Sequence, residues 1–329
     1  MLVMAINSAN GQALPNVTEP GNIDRSLKEQ RPIIEDSEIY IPDIKRSSVT
    51  PKGAEEINLT LKEVIIEGST LFTHDSIKQH YSDKIGQEVP LSYIYDIANK
   101  ITEMYLNEGY TLSFAIVPVQ RIKDGIVNIK VIEGRISNVV IDGTYAGSKR
   151  ILNKWKNKFT EQIPAKGDTL VDALLTLKRL PGTNAVALLE KSNKPNASIL
   201  RLVMEHKYFE GSIEANNFGS RYVGPYLNQN NFSFNSLFGL SEKISFSSSL
   251  TLGNSEFYSN SLALSVPINH VGTTLSTSVS NSVIEPGFDL ASSSVDSESY
   301  STQLAISHPL ILQEHQKLDI GLSFNTYNS

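Results

Sequence analysis

The chain has 329 residues, enough for two or three domains, and no cysteine, which excludes disulfide staples, thiolate metal sites and a cysteine nucleophile. Its formal charge is -6, and none of its six histidines stands at HExxH-type zinc spacing, so no metal or other cofactor is expected. Lys207–Ser329 holds all of the net negative charge, no basic cluster suggests nucleic acid, and no run of 18 apolar residues offers a transmembrane helix.

Residues 1–13 end in small residues and read as a signal-peptide remnant, although a basic n-region is lacking. Residues 14–56 are rich in proline and read as an arm and linker, with one short helix over Asn22–Gln30. From there two units of one pattern follow, over residues 57–133 and 134–206. The first reads as strand Leu59–Glu67, helix Thr73 to about Ile85, helix Pro90–Glu108, then strands Thr111–Arg121 and Ile126–Glu133. Its second helix carries Ile94, Ile97, Ala98, Ile101 and Tyr105 on one stripe, started by Pro90 and stopped by Gly109. Asp124-Gly125 is a hairpin turn signal. The second unit repeats the order: strand Ile136–Asp142, helix Ser148–Glu161, helix Asp168–Arg179 with Asp168 as cap, and strands Asn184–Lys191 and Ser198–Glu205.

Past His206 the composition turns to serine, asparagine and alternating apolar residues. Ile244, Phe246, Leu250 and Leu252 alternate, as do Leu262, Leu264 and Val266, and Leu318, Ile320, Leu322 and Phe324. Period two over segments of this length, with small polar residues between and very few Lys or Arg, predicts membrane-spanning β-strands with one face on lipid. Such strands close into a barrel, because hydrocarbon satisfies no open edge. Seven strands are expected, at about 207–218, 224–237, 242–252, 256–267, 272–284, 296–308 and 316–327, with Glu285–Asp296 as an external loop. A soluble sheet is the competing reading. Bacterial single-chain barrels have even strand numbers, so residues 207–329 are expected to be the N-terminal part of one.

These residues resemble a known family. Leu91–Gly134 follows the pattern of a POTRA domain in the hemolysin secretion/activation family (ShlB/FhaC/HecB type), the outer-membrane transporters of two-partner secretion. The elements are Tyr105, Gly109-Tyr110, Pro118, Gln120, Asp124-Gly125 and Glu133-Gly134. Leu180-Pro181-Gly182 followed by Asn184-Ala185 is similar to the family's helix-to-strand junction. Asn217, Gly219, Arg221-Tyr222 and Gly224 resemble its first barrel hairpin, and Ser307-His308-Pro309-Leu310 the end of its sixth strand. The family's Arg-Gly-Tyr loop occurs nowhere, so the resemblance implies the front of a longer protein, truncated at its C-terminus.

The fold class implied is α+β tandem POTRA domains (β-α-α-β-β) followed by the first strands of a transmembrane antiparallel barrel. The function implied is recognition and secretion of a large exoprotein, a hemolysin or adhesin for example, without ATP and without catalysis. Its partners would be an exoprotein with an N-terminal secretion domain and outer-membrane lipid, with periplasmic chaperones admitted and nucleic acid not. Its place would be the outer membrane, with the POTRA domains in the periplasm. The resemblance puts substrate polypeptide beside the first unit's second strand and second helix, giving Tyr110, Leu112, Phe114, Ile116, Pro118 and Gln120 as candidate contacts. Each of the apolar ones reads equally as core. Tyr105, Gly109, Asp124, Gly125, Gly134, Pro181, Gly182, Asn217, Gly219, Arg221, Tyr222 and Gly224 are expected to be structural, with Arg221 either pairing an acid such as Glu214 or lying solvated in a turn. A barrel-assembly insertase and a periplasmic binding module that does not transport are the alternatives.

Overall fold

The computed structural model describes residues 50–253, 256–288, 296–313 and 316–328. The signal-peptide remnant, the arm as far as Val49 and the short helix expected in it lie outside the described residues.

In the first unit the expected strand over Leu59–Glu67 is two strands, β1 (Asn58–Thr60) and β2 (Glu63–Glu67). The break falls where Leu61 turns fully inward and Gly125 O accepts from both Lys62 N and Glu63 N. β1 then pairs with β3 (Glu88–Pro90) instead of the main sheet. The first helix is also shorter than its pattern. α1 spans His74–Lys78, capped by the Thr73 hydroxyl, and only a 3-10 turn at Ser82–Lys84 follows. The chain bends between them to bury Tyr81, which is 1% exposed.

α2 (Leu91–Asn107) follows the stripe read from the sequence, with Ile94, Ile97, Ala98, Ile101 and Tyr105 buried. β4 (Phe114–Ile116) and β5 (Ile126–Ile132) complete the sheet in the order β2-β5-β4, β5 being parallel to β2 and antiparallel to β4. β4 has three residues where a strand over Thr111–Arg121 is expected. From Val117 the chain leaves the ladder, and the Gln120 side-chain amide replaces a peptide group, accepting from Asn128 N at 2.8 Å and donating to Asn128 O at 2.7 Å.

The second unit is more regular: β6 (Arg135–Gly143), α3 (Lys149–Glu161), α4 (Gly167–Arg179), β7 (Thr183–Lys191) and β8 (Ala197–His206), with sheet order β6-β8-β7. Asp168 is not the cap of α4. Lys166 occupies that position without a side-chain bond, and Asp168 is the acid of the first turn, where the helix dipole favours it. The core of this unit gathers Trp155, Phe159, Leu174, Leu177, Leu200 and Leu202, and the first unit lends it Leu112.

Two residues after β8 the membrane sheet begins. β9 (Phe209–Asn216), β10 (Leu227–Asn235), β11 (Lys243–Thr251), β12 (Phe257–Pro267), β13 (Thr274–Ile284), β14 (Ser297–Leu312) and β15 (Lys317–Asn328) form one antiparallel sheet in sequence order. The register explains the alternation. Phe234, Ile244, Leu264, Thr277, Leu304 and Phe324 stand in one cross-strand row, and Phe232, Phe246, Leu262 and Val279 in the next on the same face. A flanking row on the opposite face, Asn231, Ser247, Ser261, Ser280 and Ser301, is all hydroxyls and amides. Large apolar side chains on the first face stay exposed, Leu262 at 51% and Phe324 at 68% for example. A soluble sheet buries such a face, whereas a barrel wall turns it to hydrocarbon. The protein is thus α+β units followed by an open antiparallel barrel wall.

Candidate functional site

The face beside α2 and β4 is built from side chains that the first core does not consume. Phe114 and Ile116 are half-buried, Pro118 likewise, Val119 is fully exposed and Leu106 is 46% exposed. Tyr110 is half-buried, edge-on to Tyr105 with centroids 6.2 Å apart, and the Lys166 ammonium sits 5.1 Å from its ring centre. Leu112 stands apart from this face: it is 6% exposed and packs into the second core. Gln120 is occupied with the Asn128 backbone.

The backbone edge of β4 is less open than its place in the sheet suggests. Ala115 N–H points away from β5 and is taken at 2.9 Å by the buried Thr102 hydroxyl, which itself donates to Ala98 O. An incoming strand would therefore find little to bond there. β7 is different. The bonds Lys207 N to Gly182 O and Ser192 N to Ala197 O bracket its ladder with β8, so the even-numbered residues bond β8 and the N–H and C=O groups of Ala185, Ala187 and Leu189 point to the free side. Among the described residues no strand lies along that side, and Ala185 and Ala187 are 1% and 2% exposed.

The two units meet at a built joint. Ala165 N donates to Gly134 O and Gly167 N to Gly109 O, both at 2.8 Å. Gly134 must be glycine, because a Cβ there would fall on Leu112 O. Between the units lies an apolar pocket of about 340 Å³ walled by Leu106, Leu112, Ile136, Phe159, Leu170 and Leu189. Leu189 thus places the end of the β7 edge in the pocket wall. Behind the joint, Tyr105 is fully buried and donates to Glu133 Oε1 at 2.6 Å, while Thr70 binds the same carboxylate through N–H and hydroxyl and Leu71 through N–H. Burial alone would raise the Glu133 carboxyl, but the bonds from Thr70, Tyr105 and Leu71 outweigh it and hold it below the usual carboxylate range. Burial and the bond to Glu133 push the Tyr105 phenol well above its ordinary value.

The second unit docks on three alternate turns of the membrane sheet. Ser148 N donates to Ser241 Oγ at 2.8 Å in the β10–β11 turn. Trp155 meets His270 edge-on in the β12–β13 turn, with centroids 5.5 Å apart. Arg179 pairs with Asp319 at 3.0 Å where β15 begins. Glu242, 1% exposed, closes the first of these turns by accepting from Phe238 N and Leu240 N. At Gly182, φ is +65° and Lys207 O and Asn235 press against the position of a Cβ, so Pro181-Gly182 forms part of the seam between unit and wall.

At the opposite end of the sheet Arg221 pairs with neither Glu214 nor another carboxylate among the described ion pairs. Its guanidinium lies 5.7 Å from the Tyr222 ring centre and 5.2 Å from that of Phe288. Tyr222 O accepts from Gly287 N, and Gly219 N donates to Pro225 O, so the segment holding Asn217, Gly219 and Gly224 is a folded loop cluster. Asp124-Gly125 adopts positive φ at both residues, as an Asp-Gly turn requires.

Comparison with known proteins bears on each part. Residues 59–134 match the family model "POTRA domain, ShlB-type", and residues 196–329 match "Haemolysin secretion/activation protein ShlB/FhaC/HecB". The Heme/hemopexin transporter protein HuxB of Haemophilus influenzae (strain 86-028NP) is 25% identical over 321 residues, covering 94% of this chain and 56% of that protein. The chain thus spans about half the length of the curated relatives it matches. The structure of CdiB from Escherichia coli superposes with a TM-score of 0.64 at 19% identity, covering 87% of this chain and 54% of that one. CdiB from Acinetobacter baumannii gives 0.51 at 17% identity, over 94% of this chain and 61% of the other. These likenesses establish the shared fold.

Proposed function

We propose that this chain, which carries a POTRA domain of the ShlB type and a segment of the haemolysin secretion/activation family, recognises and passes a large exoprotein across the outer membrane by two-partner secretion. Its sheet stands in the outer membrane and its POTRA units in the periplasm. The observation that carries the reading is the joining of two β-α-α-β-β units to an apolar-faced strand wall at three turns of one end. That end is then the periplasmic one, and the Arg221 loop cluster faces outside.

Cargo arriving in the periplasm is extended, with free peptide groups and alternating side chains. The face beside α2 takes apolar side chains, with Phe114, Ile116, Pro118 and Tyr110 as contacts. Backbone addition is assigned to β7, because three residues there turn N–H and C=O groups away from β8 while the one outward N–H of β4 is already bonded; Ala185 and Ala187 are 1% and 2% exposed, so that edge has to be uncovered before a strand adds. No covalent step is needed. Strand addition is reversible, and folding of the exported chain outside draws it forward. The ShlB-type match favours this reading over an insertase.

The test is binding of the N-terminal secretion domain of a two-partner exoprotein to the full chain in bilayers. Phe114→Asp is expected to weaken binding at least tenfold, about the loss of one well-buried apolar contact. Binding that is unchanged in Phe114→Asp would remove the α2 face from the recognition site.

A further inference from the structure

Among the described elements α3 is the most basic: Lys149, Arg150, Lys154, Lys156 and Lys158 against the single acid Glu161. Its apolar side, Ile151, Leu152, Trp155 and Phe159, is buried in the second core, so the charge is not there to solubilise a loose helix. Arg150, Lys154 and Lys158 recur every four residues and form one ridge. All three are exposed.

The position of this ridge is unusual. Ser148, the cap of α3, bonds the β10–β11 turn, and Trp155 meets His270 in the β12–β13 turn. The seven-position step from Ser148 to Trp155 rises about 10 Å. Alternate turns of a tilted wall stand about 10–12 Å apart. α3 therefore runs along the rim of the wall, parallel to the membrane plane, directly below the apolar face of the strands. Lys158 and Lys154 both act on His270, burial and these two ammonium groups lowering its imidazole from the ordinary value, so the ridge is turned to the rim. Lys158 Nζ also lies 4.8 Å from the Trp155 ring centre. Where α3 meets the strands a cleft of about 300 Å³ brings Trp155 and Lys158 together with Val271, Pro309, Leu310 and Ile311. Asp172 is the acid in its wall. Lysine beside the end of an apolar wall is a side chain that meets lipid headgroups.

We propose that the Arg150–Lys154–Lys158 ridge of α3 docks on anionic phospholipid headgroups of the leaflet at the periplasmic rim. The partner is assigned by charge: the strand segment of the protein is itself acidic, and the strongly basic α3 ridge stands where headgroup phosphates would lie. The docking would fix the tilt of the second unit against the bilayer, and with it the direction in which β7 presents an extended chain. This inference rests on insertion of β9–β15.

The absence of native cysteine allows single reporters. A nitroxide-quenchable dye on Asn157→Cys, on exposed α3, reads headgroup proximity in the full chain reconstituted in nanodiscs. A second dye on Leu262→Cys, on the outward face of β12, reads insertion through acyl-labelled lipid. With Leu262→Cys quenched from the acyl region, quenching at Asn157→Cys by headgroup-labelled lipid is expected to rise several-fold from pure phosphatidylcholine to bilayers with phosphatidylglycerol. It should fall again in high salt, and Lys154→Gln with Lys158→Gln should return it toward the phosphatidylcholine level, affinity for anionic lipid falling about fivefold per charge removed. Quenching at Asn157→Cys that is equal in both bilayers overturns the docking and leaves the membrane wall standing. Quenching that responds to an acidic exported polypeptide and not to lipid composition assigns the ridge to cargo, which also overturns it. Failure of Leu262→Cys to enter the acyl region overturns both insertion and docking.

Discussion

Glu133 shows how one side chain carries a loop. Its carboxylate gathers Thr70 and Leu71 from the approach to α1 and Tyr105 from α2. Because its folded carboxyl lies below the usual value, its contribution is full above about pH 4.3, where the unfolded side chain titrates, and is lost as pH falls through the lower folded value. Glu133→Gln is expected to destabilise the Ser69–Thr73 loop by about 1–2 kcal/mol, since hydrogen bonds to a charge are the strong ones and this one is partly open to solvent. Hydrogen exchange of those amides, compared at pH 7 and near pH 4, checks it: the wild type should lose protection on acidification and the variant should not. Glu133-Gly134 was legible as a pattern, but the role of Glu133 was not, because its partners lie far apart in sequence. Thr102 was missed for a different reason. It sits in the apolar stripe of α2, beside Ile101, and a lone hydroxyl in such a stripe is the available sign of a buried backbone group to be satisfied.

At the scale of elements, the membrane strands were read almost to their ends, because period two is imposed by two solvents and survives without tertiary detail. β4 was not. Thr111–Arg121 has the composition of a strand, yet Gly134 and the second core draw Leu112 inward and Gln120 takes over the pairing with Asn128, leaving three ladder residues. A single-strand reading of Leu59–Glu67 failed likewise, since only the folded unit shows that β1 belongs with β3. The basic character of α3 was in plain view, and its apolar spacing absorbed the reading. The contrast between β4 and β7 gives a prediction. Ala187→Pro removes an N–H that points away from β8, so the ladder with β8 survives while the middle donor of that edge is lost. Circular dichroism should be unchanged, and affinity for an extended cargo segment should fall about tenfold, with little effect from Thr102→Val on the same assay. Equal affinity in Ala187→Pro would return strand addition to some other edge.

The whole molecule reports its own docking. Trp155 is the single tryptophan, and it packs on His270 across the seam between second unit and wall. Burial, then Lys158 and Lys154, disfavour the imidazolium, so the docked state binds the proton less readily than the free turn does. Docking should therefore be strongest above the ordinary imidazole value and weaken as pH falls below it. Tryptophan emission should titrate in the mildly acidic range, and His270→Phe should abolish the titration while keeping the ring contact. Arg179→Glu, placed against Asp319, should shift emission toward that of an opened seam at neutral pH.

The short link between β8 and β9 has a mechanical consequence. β8 ends at His206, β9 begins at Phe209, and β8 is the strand on which the nine residues of β7 are laddered. A polypeptide bound along β7 and drawn outward would load that ladder in shear, all its bonds at once, and pass the tension through two residues into β9. The strand receiving it is the terminal one of the described sheet. Traction on the cargo is then also a pull on the wall it has to cross.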